Sequence, residues 1–331
     1  HSDILPDDAL TVHGVITEQG CTACHDPHAS AYASQLLEPS QVICLGCHDE
    51  IQRLVKAANV HAPAKDSCLT CHDPHASQST PRLLSEKEPE LCLGCHKSTT
   101  KNFKRQHMNY PVETARCTSC HDPHGSEKPG LFPAVTHSPV SKRMCNQCHA
   151  EPGDAEPFDV QAKGYKLCQT CHNRSVNEIL NGAFVHWPTL SEDGCLSCHT
   201  PHASAYEGML KQNPLKVCGS CHTATLRRMS NVTTQHEPVK DGACVECHSP
   251  HAANNPMLIK QLDELDLCGS CHDWQAHASH PLGEDVKDPR NPNLTVQCSS
   301  CHDVHGTNTE NMLHTDETTD LCVQCHTNYR R

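Results

Sequence analysis

The chain has 331 residues, a formal net charge of −13, 36% hydrophobic residues and only 3% aromatic ones. So acidic a chain is a poor partner for nucleic acid or an anionic membrane surface, and it contains no run of eighteen apolar residues that would make a transmembrane helix. So low an apolar content also excludes a large core built from the chain's own side chains.

The 26 cysteines and 29 histidines carry the pattern. CxxCH occurs thirteen times. The first six are Cys21-Cys24-His25, Cys44-Cys47-His48, Cys68-Cys71-His72, Cys92-Cys95-His96, Cys117-Cys120-His121 and Cys145-Cys148-His149. Cys168-Cys171-His172 is the seventh. The last six are Cys195-Cys198-His199, Cys218-Cys221-His222, Cys244-Cys247-His248, Cys268-Cys271-His272, Cys298-Cys301-His302 and Cys322-Cys325-His326. No cysteine is left over. A disulfide scaffold or a stack of zinc ribbons has no need of a histidine directly after every pair. CxxCH is the attachment signal of haem c: the cysteines form thioethers to the vinyl groups and the histidine reaches the iron from one side. Thirteen haems imply about 25 residues each, so the porphyrins must supply the apolar surface the chain lacks. With that cofactor load the net charge falls to about −26, because two propionates outweigh the single positive charge of each ferric porphyrin.

In chain order the motifs alternate. Motifs 1, 3, 5, 8, 10 and 12 read CHDPH, CHDPH, CHDPH, CHTPH, CHSPH and CHDVH, and five of the six place a proline that stops any helix and fixes the second histidine. An apolar pair follows each, from Leu36-Leu37 to Met312-Leu313. The methionines among them align with leucines in the first half and read as packing, not ligation. Motifs 2, 4, 6, 9, 11 and 13 lack the extra histidine and sit in helix-like contexts. One such helix is expected from an N-cap at Ser40 through Cys47 to Ala58, with Asn59 near its end, and another over Asp263 to Trp274. Motif 7 stands outside both classes.

PHASAY occurs at 27–32 and again at 201–206, and the first cysteines of the two halves pair at offsets of 174 to 181. The expected organisation is a six-haem half over 1–150, a bridge with haem 7 over 151–185, and a second six-haem half over 186–331. Each repeated unit should touch mainly its neighbours. The expected fold is irregular coil with short α-helices wrapped around a linear haem array and almost no β-sheet.

Sixteen histidines remain for the opposite faces of the irons. Six are the second histidines His28, His75, His124, His202, His251 and His305. Six more precede motifs at His13, His61, His107, His186, His236 and His280. His137 and His314 each lie eight residues before the last doublet's second motif. That gives fourteen regularly placed candidates for thirteen irons, while His1 and His277 match no pattern. His28 cannot bind the far face of the haem held by Cys21 and Cys24, since Asp26-Pro27 is too short to pass around the ring. It should serve another haem. An inter-subunit role is expected for a terminal histidine, His314 or alternatively His13, unless one of them is spare. Two imidazoles on every iron would leave no open site for a substrate.

The alternation CxxCHxPH, apolar pair, (L/V)CxxCH resembles the paired-CxxCH multihaem cytochromes, which include the decahaem conduits of metal-reducing and iron-oxidising bacteria. The architecture is also similar to that of extracellular cytochrome filaments. This resemblance implies electron transfer between redox partner cytochromes, either inside an outer-membrane β-barrel porin or along copies of the chain. Thirteen haems instead of ten, and the unpaired motif 7, depart from the decahaem pattern. Haems tied this closely should lie roughly 4 Å apart at their edges. The alternatives are a multihaem reductase, which needs a five-coordinate haem, and a periplasmic electron store. The start at His1 and the haem c chemistry point to an exported protein, periplasmic, outer-membrane-associated or extracellular.

Overall fold

A computed structural model of the chain describes residues 4–273, 280–283, 285–316 and 318–329. Short helices are joined by irregular chain. Among the described residues the longest helices are Asn173–Leu180 and Thr223–Ser230, eight residues each. The multihaem, coil-rich architecture expected from the motif density is the one observed.

The motifs take two local forms. Seven adopt a 3₁₀ turn, at Cys21–Ala23, Cys68–Thr70, Cys117–Ser119, Cys145–Gln147, Gly194–Ser197, Cys244–Glu246 and Cys298–Ser300. Six lie in the last turn of a short α-helix, at Ser40–Leu45, Glu90–Leu93, Tyr165–Gln169, Pro214–Gly219, Glu264–Gly269 and Thr318–Val323. Motif 6 is thus a turn although it lacks the second histidine, and motif 7 is helical. The expectation that placed motif 6 with the helices and motif 7 in neither class is corrected here.

The long helix expected over Ser40 to Ala58 is two helices, Ser40–Leu45 and Asp49–Leu54. His48 leaves the helical path between them, with φ −97° and ψ 66°. The same break occurs at His172 and His222, each followed at once by a new helix. In each case three residues, the last of them the motif histidine, separate the helix that holds the first cysteine from the next one. Pro39 precedes the first helix and Ser40 is its first residue, not its cap. Asp263 does cap Glu264–Gly269, accepting from the Leu265 N–H at 2.9 Å. The far end expected at Trp274 lies outside the described residues.

Most strands are two residues long and serve as stitches. Thr11–Val12 pairs antiparallel with Ala76–Ser77, Asn59–Val60 with Gly125–Ser126, Val135–Thr136 with Ala203–Ser204, and Phe184–Val185 with Ala252–Ala253. Thr234 and Thr307 form the equivalent single bridge. In each, the strand before an upstream histidine pairs with the strand after a second histidine. Gly125 allows one of these close approaches, since a Cβ there would collide with the Leu54 carbonyl and crowd that of Asn59. A hairpin of Lys287–Asp288 and Asn291–Thr295 is the remaining sheet among the described residues.

The chain divides into two compact units, His1–Gln161 with Thr200–Met209, and Ala162–His199 with Leu210–Arg331. Motif 7 belongs to the second unit rather than to a separate bridge. Protein-only burial is slight in both. Ala76, Tyr110, Val176, Ala203, Met229 and Val296 are the buried apolar residues, and no large side chain among the described residues is fully enclosed.

Candidate haem-binding sites

Eleven pairs of a motif histidine and a second histidine, ring to ring, are seen among the described residues. His25 faces His75, His48 faces His13, His72 faces His124, His96 faces His61, His121 faces His107 and His149 faces His202. His199 faces His251, His222 faces His186, His248 faces His305, His272 faces His236 and His326 faces His280. The ring centroids are 5.7–6.4 Å apart in all eleven. Two metal–nitrogen bonds of about 2 Å plus the two ring radii come to about 6 Å, so one iron between each pair fits. The donor set is that of a bis-imidazole haem.

The ligand sources follow a rule that spacing alone did not show. An upstream histidine serves the second haem of its own doublet: His13 haem 2, His61 haem 4, His186 haem 9 and His236 haem 11. A second histidine serves the first haem of the preceding doublet: His75 haem 1, His124 haem 3, His202 haem 6, His251 haem 8 and His305 haem 10. Motif 6 continues as His149-Ala150-Glu151-Pro152 with no second histidine. Haem 5 takes His107 from the helix end at Lys101–Gln106 instead. Tyr110 fills the gap, donating its hydroxyl to the Ala150 carbonyl at 2.6 Å.

Hydrogen bonds aim both rings. The Nδ1–H of the upstream histidine donates to the carbonyl of the proline before the second histidine. The pairs are His13 with Pro74 at 2.9 Å, His61 with Pro123 at 3.0 Å, His137 with Pro201 at 2.9 Å and His186 with Pro250 at 2.8 Å. The turn-type motif histidine donates its Nδ1–H to a carbonyl nine or ten residues on. His25 reaches Ser34 at 2.8 Å, His72 Arg82 at 3.1 Å, His121 Gly130 at 2.6 Å, His149 Phe158 at 2.9 Å, His248 Met257 at 3.0 Å and His302 Asn311 at 2.7 Å. A protonated Nδ1 leaves Nε2 as the free electron pair for iron. Burial also pushes His72, His121, His202, His236, His251 and His305 down from the usual histidine range, toward the neutral form a ligand needs.

Two features of these turns carry no plain sequence signal. The accepting carbonyl sits in a bend with left-handed residues: Ser34 and Gln35, Gly130 and Leu131, Met257 and Leu258, Asn311 and Met312. Gly130 alone of these eight is a glycine, so composition hides the bend. The aspartate of CHDPH, and of CHDVH in motif 12, closes an Asx turn, accepting from the His28, His75, His124 and His305 backbone N–H groups at 2.8–3.0 Å.

Sulfur contacts order the haems. Sulfurs of successive motifs lie close together at Cys44 and Cys68, Cys92 and Cys117, Cys168 and Cys195, Cys218 and Cys244, and Cys268 and Cys298. Within and between doublets, Cys24 lies in electrostatic reach of Cys47, Cys71 of Cys92 and Cys95, and Cys120 of Cys145. So do Cys198 and Cys221, Cys247 and Cys271, and Cys301 and Cys325. These sulfurs stand where haem thioethers attach. The order is therefore consecutive, motifs 1 to 6 in one unit and 7 to 13 in the other.

Two expected ligands, His28 and His314, stand apart from these pairs. His28 meets no other histidine ring among the described residues. His314 turns its Nε2 to the Ser299 carbonyl at 2.9 Å, and its N–H bonds Cys301 O, so it occupies the place of Leu37 and not that of His137. The expected equivalence of His137 and His314 is thus corrected. His137 instead belongs with His13, His61 and His186 by its Pro201 bond. His1 and His277 lie outside the described residues.

The doublet repeat also emerges from comparison with known proteins. The family described as "Doubled CXXCH motif" matches residues 13–53, 61–101, 109–135, 137–177, 186–226, 236–277 and 291–331. These spans pair motif 6 with motif 7 and leave motif 5 single, as the local structure does. The multiheme cytochrome MtrA of Shewanella baltica (strain OS185) is 29% identical over 100 residues, 29% of this chain. The match spans 27% of that relative's length. With seven matched spans over most of its length, eleven iron-spanning histidine pairs and a CxxCH at each, the chain belongs to the doubled CXXCH motif family and is a multihaem c-type cytochrome.

Proposed function

We propose that the chain carries thirteen haem c groups, each with two histidine ligands, and acts as a wire for long-range electron transfer without catalysing a reaction of its own. The observation that carries this reading is the eleven facing histidine pairs, in which both axial positions of an iron are taken. Within each unit the consecutive sulfur approaches add that a haem's nearest neighbours are those of the adjacent motifs. The chain's residues hold the rings, exclude water from the axial positions and fix the spacing; the haems, when bound, supply the one-electron chemistry.

The setting proposed is outside the cytoplasm, in exchange with other cytochromes, with the row either sheathed by a β-barrel porin or continued by further cytochrome subunits in a filament. Electron microscopy of purified material separates the two: particles that require a barrel partner indicate a conduit, and unbranched polymers a filament. Electron paramagnetic resonance of the oxidised holoprotein tests the wire itself. Wholly low-spin ferric iron is expected. A stoichiometric high-spin ferric signal would mean an open haem and favour a reductase.

A further inference from the structure

Five of the six second histidines face the motif histidine of the preceding doublet, and the strand after each is stitched to that doublet. His28 has the same local build and neither connection. Asp26 closes the same Asx turn on the His28 N–H at 2.8 Å. The Ser30 hydroxyl donates to the Leu36 carbonyl as Ser77 does to Leu84 and Ser126 to Phe132. The edge Ala29–Ser30 corresponds to Ala76–Ser77, Gly125–Ser126, Ala203–Ser204 and Ala252–Ala253, each of which is paired with an upstream strand. Among the described residues Ala29–Ser30 has no such strand. The His28 side chain is 92% exposed, against 34% for His75, 28% for His124 and 34% for His305.

We propose that His28 and the Ala29–Ser30 edge form a docking site for a paired-CxxCH haem unit of another cytochrome polypeptide, with His28 supplying the second imidazole to that unit's first iron. This rests on the wire reading above and extends it to a contact through which the row of haems continues. The five internal junctions define what the incoming unit must bring. It needs an iron with an open axial position, a two-residue extended strand to pair with Ala29–Ser30, and a histidine directly after that strand. That histidine's N–H would meet the His28 carbonyl, as His13 N–H meets His75 O at 2.9 Å. Its Nδ1–H would meet the Pro27 carbonyl, as His13 meets Pro74. The exposed carbonyls and imidazole are already held in position by the Asx turn and the Ser30 bond, so little ordering is needed on contact.

The test uses ferric holoprotein and, as probe, a haem c peptide cut from a CxxCH cytochrome, which keeps its own histidine and is high-spin on its open face. Wild-type protein should convert the peptide to low spin and saturate near one equivalent. His28→Ala should lose that conversion while its own haems stay attached and low-spin; His314→Ala should keep it. If wild type and His28→Ala titrate alike, or if His28→Ala renders one of the protein's own haems high-spin, the proposal is overturned. The wire reading is judged separately, by the spin state of the untreated wild-type holoprotein.

Discussion

Many of the described histidines bond a neutral carbonyl through the second ring nitrogen, whereas His124 bonds a carboxylate. His124 Nδ1 lies 3.0 Å from Asp122 Oδ1, while the corresponding separations at His75 and His305 are 3.8 Å. A carboxylate on Nδ1–H makes the ligand more basic and favours ferric iron, so haem 3 should have a lower potential than its neighbours. Asp122→Asn is expected to raise the potential of one haem by on the order of 60 mV, the size of a tenfold change in a one-electron equilibrium. Spectroelectrochemistry with all haems still attached measures it; an unchanged set of potentials would remove the role given to Asp122. His75→Ala should leave haem 1 with His25 alone. One haem then becomes high-spin in the ferric spectrum while every thioether persists. An all-low-spin variant would show that another group had replaced His75 or that the ligand assignment is mistaken.

Among the elements, the left-handed bend after each turn-type motif makes a clear energetic claim. Gly130 has φ +72°, and its carbonyl accepts from His121 Nδ1. Gly130→Ala should therefore cost about 1 kcal/mol in holoprotein unfolding. The exposed Ser34, at φ 56°, sits at the same place after motif 1, and Ser34→Gly should gain a comparable amount. Chemical denaturation of the two variants checks both signs at once. A second claim concerns ring planes. Nine of the described pairs are within 10–33° of parallel, but His107 and His121 cross at 74° and His280 and His326 at 81°. Of the two, the His107–His121 pair lies outside the doublet rule, whereas His280 is the upstream histidine of the doublet whose second motif carries His326. Crossed imidazoles leave the iron's π-accepting orbitals nearly degenerate, so two strongly anisotropic low-spin signals should accompany an ordinary rhombic majority in paramagnetic resonance. A single rhombic family would contradict the geometry.

Sequence reading reached the distal set here because second and upstream histidines repeat at fixed distances from cysteines whose role is unambiguous. It missed which iron each serves, since that depends on strands two residues long whose partners lie about 65 residues away, as with Thr11–Val12 and Ala76–Ser77. It paired His137 with His314 by distance to the following motif. That distance cannot separate the two, since both lie eight residues before a motif; the Val135–Thr136 stitch to Ala203–Ser204 and the bond to Pro201 do, and neither is written in the spacing. The left-handed bends were illegible for a different reason: Gln35, Leu131 and Met312 adopt a conformation that their side chains do not advertise.

For the whole molecule, six buried apolar residues among the described ones cannot offset the conformational entropy lost on folding so long a chain. Two-residue strands and helices of at most eight described residues add little local stability. Polypeptide made without haem attachment should show no cooperative thermal transition by circular dichroism, whereas the holoprotein should unfold sharply. A cooperative transition in the haem-free chain would show that the protein part holds its own fold.

The crossing of ligands from one doublet to the one before it makes the chain a splice, not a string of beads. A cut between two doublets would leave an iron on the first piece with half of its axial donors on the second. Lengthening is gentler, because an inserted doublet brings one donor for its predecessor and accepts one from its successor. Losing a donor requires rehousing it close by, and His107 with Tyr110 shows how: a helix end swings a new imidazole onto haem 5 while the tyrosine closes the seam at Ala150. Trimming such an array one haem at a time therefore demands a local repair at every step, while extending it by whole doublets does not.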